Sequence, residues 1–393
     1  MPVKLIRHAK IYAPENLGVN DILCVGKTIA RIAPSIDPAP VAAVFGDELE
    51  VVEAEGCLCM PGIVDLHVHF NGAGGENRPE FRTPPTQLSE LTRSGITTAI
   101  GLLGTDGISR SLKDLYMKAR GLQNEGISTW MWTGSYQIPS PTITGSVLED
   151  IALIDKVVGL KIAYSDHRSS HPDDALLVKT IASSRVGGIN GAKSGKVMCH
   201  MGQPADGLER IRKAMASTAI PLNQVIPTHL NRAGEVLDAA IEHGKAGGNV
   251  DITSALSELF HFVGAVKPSK AVAKLLNAGV PVDRITMSSD GNGSMTVPLD
   301  GGGFKTIVAP VRSMFQEFAA FLKEGIPVTD AVRIVSTNPA DFLLLGSKGR
   351  IKEGADADIL LVGEADYSLK MVFAMGRKMV EDDVALVKGT FES

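Results

Sequence analysis

Along most of the chain, short apolar runs of strand length alternate with longer stretches whose apolar residues recur every three or four positions. That alternation predicts parallel strands joined by helices. The strand-like runs fall at 62–70, 97–103, 129–133, 159–164, 196–200, 224–229, 249–253 and 284–288. Amphipathic stretches at 85–94, 109–125, 147–157, 204–217, 233–245 and 269–278 lie between them and read as helices. Eight such strands are the number that closes a (β/α)8 TIM-like barrel. Both ends read differently, as short strand-like pieces at 3–12, 21–25, 28–32, 359–362, 369–374 and 385–387, punctuated by Gly, Pro and Asn. They predict an α/β protein in which a small β-sandwich domain built from both termini, residues 1–56 with 346–393, flanks a barrel of residues 57–345.

Composition narrows the partners. The chain has 393 residues, enough for a barrel with an appended domain, and its 39 Lys and Arg against 44 Asp and Glu leave a net charge of −5. No basic block is long enough to track a phosphate backbone, so nucleic acid is not expected as a partner. The first ten residues carry Lys4, Arg7 and Lys10 without an apolar leader, and no apolar run reaches the length of a membrane span. A cytoplasmic protein is expected. Four cysteines in so long a chain fit a reducing compartment, and Cys57 and Cys59, two apart on one strand face, read as core residues. No strand-like run leads into a GxGxxG turn, which argues against dinucleotide binding.

The candidate chemistry begins in the run Cys57-Leu-Cys-Met-Pro-Gly-Ile-Val-Asp-Leu-His-Val-His69. Residues two apart on a strand share a face, so His67 and His69 can offer two imidazoles to one metal ion. Barrel enzymes build their sites at the C-terminal ends of their strands. The fourth strand contains Lys161, the fifth ends in His200, the sixth ends in His229, and the eighth runs into Asp290. Singly, each has a plainer reading: a buried lysine paired to a carboxylate, satisfied polar histidines, a turn aspartate. Together, at the expected ends of five strands, they read as a binuclear metal set. Of the other histidines, His8 and His243 read as surface residues, and His167, His171 and His261 fall in loops with no clear place in the set.

This constellation resembles the amidohydrolase superfamily, in which two divalent metals are bridged by a carboxylated lysine and a hydroxide. The segments Gly349-Arg-Ile-Lys-Glu-Gly-Ala-Asp-Ala-Asp358 and Met375-Gly-Arg377 are similar to that family's small β-domain. Six further motifs resemble the isoaspartyl dipeptidase branch: Gly72-Ala-Gly-Gly-Glu76, Gly101-Leu-Leu-Gly-Thr-Asp106, Thr133-Gly-Ser-Tyr136, Ser165-Asp-His-Arg168, Pro227-Thr-His-Leu-Asn-Arg232 and Ser289-Asp-Gly-Asn-Gly-Ser294. The resemblance implies that His67 and His69 hold one metal with Asp290, that His200 and His229 hold the other, and that Lys161 bridges them as N6-carboxylysine. A lysine ammonium repels cations, so carbon dioxide must convert it to a carbamate before it can act as a ligand. Nitrogen and oxygen donors of this kind suit two zinc ions.

The same resemblance implies hydrolysis of β-aspartyl (isoaspartyl) dipeptides by the metal-bridging hydroxide, with Asp290 carrying the proton to the departing amine and Tyr136 stabilising the oxyanion. Such a substrate presents one ammonium and two carboxylates. Glu76 is the matching anion and Arg168 and Arg232 the matching cations, while Gly74, Thr105 and Ser294 correspond to the family's remaining substrate contacts. The loop 71–83 is placed to cover the pocket, and the segment 295–304 to shape it around the leaving residue. A homo-oligomer larger than a dimer is implied as well. The competing readings are another amidohydrolase activity, such as cyclic-amide hydrolysis or N-acyl amino acid deacylation, and a non-catalytic interaction protein on the same barrel.

Overall fold

The computed structural model describes residues 2–76, 78–204, 206–256, 264–299 and 302–393. All eight expected barrel strands are present: Ile63–Val68, Ile96–Gly101, Ser128–Gly134, Val157–Tyr164, Lys196–Met201, Val225–Thr228, Val250–Thr253 and Ile285–Ser288. The first six form one parallel sheet in chain order and the last two pair with each other. Two joints complete the ring. At one, the Asn249 side chain donates to the Val225 carbonyl at 3.1 Å, and Leu230 N–H donates to the Asp251 carbonyl at 3.2 Å. At the other, Val68 bridges Gly291 and His69 N–H donates to the Gly291 carbonyl at 2.8 Å. Strands covered on both faces need apolar residues without alternation, and Val157–Tyr164 is buried at every position.

The helices between them follow the sequence where one face alone is apolar. Leu112–Glu125 buries Leu112, Leu115, Ala119 and Leu122, starts where Ser111 Oγ accepts the Asp114 N–H, and stops at Gly126 with φ 134°. The helix expected over 147–157 ends at Leu153, because Val157 is already the first residue of the fourth barrel strand. The 17-residue helix Asp174–Asn190 was not marked by periodicity; Leu176, Val186 and Ile189 lie exposed and dilute its apolar stripe.

The terminal strands meet in a nine-stranded sheet that runs Val384–Ala385, Arg377–Glu381, Leu369–Ala374, Ile359–Gly363, Cys57–Pro61, Val3–Tyr12, Asn16–Val25, Thr28–Ala33, with Leu49–Glu53 pairing Val3–Tyr12 off that path. Cys57–Pro61 belongs to this sheet and passes through Gly62 into the first barrel strand, so the two units are joined directly behind His67 and His69. Cys59 is buried among the sheet's apolar residues and Cys57 is half-buried against them; neither is in a disulfide.

One expectation is corrected. His243 is not on the surface: it is fully buried in the last turn of the helix Gly234–Lys245. The segment after Ser294, whose conformation the sequence left open, contributes to a β-hairpin, Ser294–Pro298 against Phe304–Val308. His8 is exposed as expected, whereas His261 lies outside the described residues. Among the described residues, no helix is long and apolar enough to cross a membrane.

Candidate active site

The barrel geometry carries all six proposed metal-binding residues to one place. His67 Nε2 and His69 Nε2 lie 3.2 Å and 3.1 Å from Asp290 Oδ1, and the three ligand atoms fall within 4.8 Å of one another. Lys161 Nζ stands 3.4 Å from His67 Nε2. The His229 ring centroid is 5.0 Å from that of His67 and 4.6 Å from that of His200, which closes the cluster. His229 and Asp290 have φ of 67° and 56°, a left-handed backbone that L side chains seldom adopt and that here turns both side chains at the strand ends.

The donor set fits a metal centre. Burial, with repulsion from Lys161, lowers the His67 pKa to about 3, and burial holds His200 and His229 well below the ordinary imidazole range. All three are therefore neutral at physiological pH, the form that ligates. His229 Nδ1 meets Thr253 Oγ1 at 2.7 Å, leaving its Nε2 for the centre. His200 Nε2 donates to Asp166 Oδ2 at 2.9 Å, leaving Nδ1, which accepts from the Tyr136 hydroxyl at 2.7 Å. Among the described residues Lys161 has no carboxylate partner within ion-pair range, and burial lowers its pKa to about 8, so the neutral amine that carbamate formation requires is accessible.

Beside this cluster opens a cavity of about 550 Å³. Glu76, Thr105, Tyr136, Arg168, Arg232 and Ser294 all line it, together with His69, His200 and Asp290. Glu76 accepts from Ser294 Oγ at 3.2 Å and faces Arg168 Nη1 at 3.4 Å. Arg168 also stacks over Tyr136, with Cζ 5.3 Å from the ring centroid. Arg232 is almost wholly enclosed; its nearest carboxylate oxygen is Asp166 Oδ2 at 3.8 Å, and its Nε has no hydrogen-bond partner among the described residues. The Thr105 hydroxyl is likewise buried and unpartnered there. Arg168 and Arg232, with Glu76 and the carboxylates of Asp166 and Asp290, thus face a polar cavity, and Arg232 Nε and the Thr105 hydroxyl leave hydrogen-bonding capacity to spare.

Gly74 stands one step back from the wall. A Cβ there would come 2.3 Å from the Phe81 carbonyl oxygen, at φ 77°, so glycine is what lets the Glu76 loop fold against residue 81. The loop's ends are tied down: Arg110 donates to the carbonyls of Asn71, Ala73 and Thr83, and Thr83 Oγ1 donates to the Asn292 carbonyl at 2.6 Å.

A model of the amidohydrolase family matches residues 192–389, half of the chain. The chain belongs to the amidohydrolase family. A β-aspartyl dipeptidase from the thermophilic, keratin-degrading Fervidobacterium islandicum AW-1, solved in complex with a β-Asp-Leu dipeptide, is 37% identical, and the match covers 98% of each chain with a TM-score of 0.87. A dihydropyrimidinase from Brevibacillus agri NCHU1002 shares the fold at 18% identity, covering 98% of this chain and 96% of its own, with a TM-score of 0.70. In sequence, a dihydroorotase of Staphylococcus aureus (strain MRSA252) is 32% identical over 111 residues, 28% of this chain. The chain spans about a quarter of the length of that curated relative, 24%.

In this amidohydrolase the sequence reading overlooked Asp166, which sits in the Ser165-Asp-His-Arg168 motif and lines the cavity. Its position two residues before Arg168 was the available signal. Burial opposes its ionisation, but hydrogen bonds from His200 and Arg168 hold its carboxyl well below the usual range, as a permanent anion. Thr253, the partner of His229, was equally unmarked, because a buried threonine in an apolar strand reads as core.

Proposed function

We propose that this protein is a metal-dependent dipeptidase that hydrolyses the isopeptide bond of β-aspartyl dipeptides. The observation that carries the proposal is the charge arrangement of the cavity, with Glu76 opposite Arg168 and Arg232 beside the histidine, lysine and aspartate cluster. The β-Asp-Leu complex of the Fervidobacterium relative supports it.

Two zinc ions would be held by His67, His69 and Asp290 on one side and His200 and His229 on the other, with Lys161 as a carbamate between them. When bound they polarise the scissile carbonyl and acidify the attacking water. The chain's own residues do the rest. Asp290 takes the water's proton and delivers it to the departing amine, which lets the C–N bond break without expelling an amide anion. Tyr136 donates its hydroxyl hydrogen to the carbonyl oxygen as negative charge collects there. Glu76 receives the free α-ammonium, and Arg168 and Arg232 receive the two carboxylates.

The test compares β-Asp-Leu with α-Asp-Leu by release of free leucine. Moving the linkage shifts one carboxylate away from its arginine, which matters most at Arg232, whose buried Nε has no hydrogen-bond partner among the described residues. That costs about 2–5 kcal/mol, or tens to thousands of fold in kcat/KM. Equal turnover of the two isomers refutes the specificity; turnover of cyclic amides or N-acyl amino acids in place of both assigns a different amidohydrolase activity.

A further inference from the structure

One carboxylate touches both halves of the site. Asp166 Oδ1 accepts from Arg168 Nε at 2.9 Å and from the Arg168 backbone N–H at 2.9 Å, while Oδ2 accepts from Arg168 Nη2 at 2.9 Å and from His200 Nε2 at 2.9 Å. Arg232 Nη1 lies 3.8 Å from the same Oδ2. The side chain is only 4% exposed, so these contacts are made almost out of water. We propose that Asp166 is a positioning residue that couples the metal-binding cluster to the substrate-binding arginines, setting the ligating nitrogen of His200 and the reach of Arg168 through one carboxylate.

First, an ionised carboxylate only accepts, so the His200 nitrogen that meets it must carry the proton. That leaves the lone pair on Nδ1, the nitrogen that meets the Tyr136 hydroxyl at 2.7 Å and would ligate a bound metal in its place, and an outer-shell carboxylate on a histidine both fixes the ring and raises its basicity. Arg168 Nη2 lies 3.3 Å from the same His200 nitrogen, a proximity of two donors that their shared acceptor explains. Second, Asp166 grips Arg168 through Nε and Nη2, a two-pronged pairing that fixes the guanidinium plane and leaves Nη1 directed to Glu76 and the cavity. Third, the scaffold holds the carboxylate itself. Ser165 has φ 56°, and at Gly202 a Cβ would come 1.9 Å from the Ser165 carbonyl oxygen and 2.7 Å from Asp166 Cα. Only a glycine two residues beyond His200 lets the fifth strand's end press against the Asp166 turn, which keeps His200 and Asp166 in register.

This inference rests on the dipeptidase reading above for the role of Arg168, but its test does not depend on turnover alone. Metal-free wild type, Asp166→Asn, Asp166→Glu and Arg168→Ala are titrated with zinc in competition with a chelator. The Asn variant turns an acceptor-only group into one with an N–H₂ end that cannot serve both donors. It is expected to lower zinc affinity at the weaker position by about 10–100-fold. A crystal structure of the same variant is expected to show Arg168 displaced, and KM for β-Asp-Leu to rise. Asp166→Glu restores the charge and is expected to recover part of the zinc affinity. Arg168→Ala is expected to raise KM with zinc affinity unchanged, which separates loss of the arm from loss of the link.

Unchanged zinc affinity in both Asp166 variants overturns the proposal, as does a loss of zinc affinity with Arg168 still in place and KM unaltered. If the wild type cleaves neither dipeptide, the dipeptidase reading fails on its own, and zinc affinity together with the Arg168 position still decides the role of Asp166.

Discussion

Tyr136→Phe isolates one hydroxyl in the proposed reaction. The ring sits under Arg168 and 5.8 Å from Lys161 Nζ, and it is buried with only 7% of its surface exposed, so phenylalanine keeps the packing and the cation–π contact. What disappears is the oxygen that lies 2.7 Å from His200 Nδ1. Burial pushes the phenol's pKa up, so the group is a protonated donor throughout the working range. Two roles give different magnitudes. A donor to a developing oxyanion in a water-poor cavity is worth about 2.7–4 kcal/mol, or 10²–10³-fold in kcat. A neutral hydrogen bond that merely orients His200 is worth about 0.5–1.5 kcal/mol net, roughly 2–10-fold, and would be felt in metal affinity.

The assay is steady-state hydrolysis of β-Asp-Leu at saturating zinc, paired with zinc affinity from chelator competition. The expected result is a kcat lowered by about 10²–10³-fold with KM and zinc affinity near wild type. Because the hydroxyl acts on the carbonyl oxygen and not on the leaving group, the loss is expected to be the same for a β-aspartyl anilide. A kcat within about tenfold of wild type, accompanied by weakened zinc binding, refutes the oxyanion role and makes Tyr136 a partner of His200 only.

Lys161→Ala is expected to lose bound metal and activity together, with partial rescue by short carboxylic acids that replace the carbamate oxygens; undiminished metal content contradicts a ligand role. Asp290→Asn should lower kcat by about 10²–10⁴-fold and recover a larger share of wild-type rate on a β-aspartyl anilide, whose leaving amine needs less proton assistance. Glu76→Gln and Arg232→Lys should act first on kcat/KM without selective recovery, and equal impairment of Asp290→Asn on both substrates would assign Asp290 to metal ligation alone. His243, whose two ring nitrogens have no hydrogen-bond partner among the described residues, has its pKa lowered from 6.5 to about 4 by burial and by repulsion from Arg212. The unfolded chain therefore binds the proton first as pH falls below 6.5, and stability drops with it. Between pH 7.5 and 5 wild type should lose about 2 kcal/mol more than His243→Leu in denaturant unfolding, and parallel losses would remove His243 as the cause.

How much of this was legible in the chain follows from the physics of each element. Barrel strands covered on both faces must be apolar throughout, so all eight stood out from their surroundings. Their exact ends did not: Val157 reads as helical by pattern and is a strand residue by pairing with Met131. The helix Asp174–Asn190 shows the limit of periodicity, because exposed Leu176, Val186 and Ile189 blur a stripe that the fold nevertheless buries. His243 shows another limit. A histidine between charged neighbours near the end of a helical stretch reads as a surface residue, and only packing puts it against Gly248, where a Cβ would come 2.1 Å from its Nε2.

At the site, legibility divides by whether a residue's chemistry is visible from its type and place or only from its contacts. Histidines, a lysine and an aspartate at strand ends announce themselves, because a barrel puts strand ends at one face whatever the details of its loops. Asp166 has the same side chain as Asp290 and lies just beyond the fourth strand, yet sequence position alone does not say whether it faces metal, substrate or solvent. The contacts decide: four hydrogen bonds accepted from Arg168 and His200 occupy the carboxylate, so it is a brace between groups, not a free ligand. The same distinction explains Gly202, whose lack of a side chain has meaning only because the Ser165 carbonyl oxygen would lie 1.9 Å from a Cβ. Residues that touch the reacting atoms are chosen by chemistry and can be read from one dimension. Residues that hold them in place are chosen by distance, and distance exists only once the chain has folded.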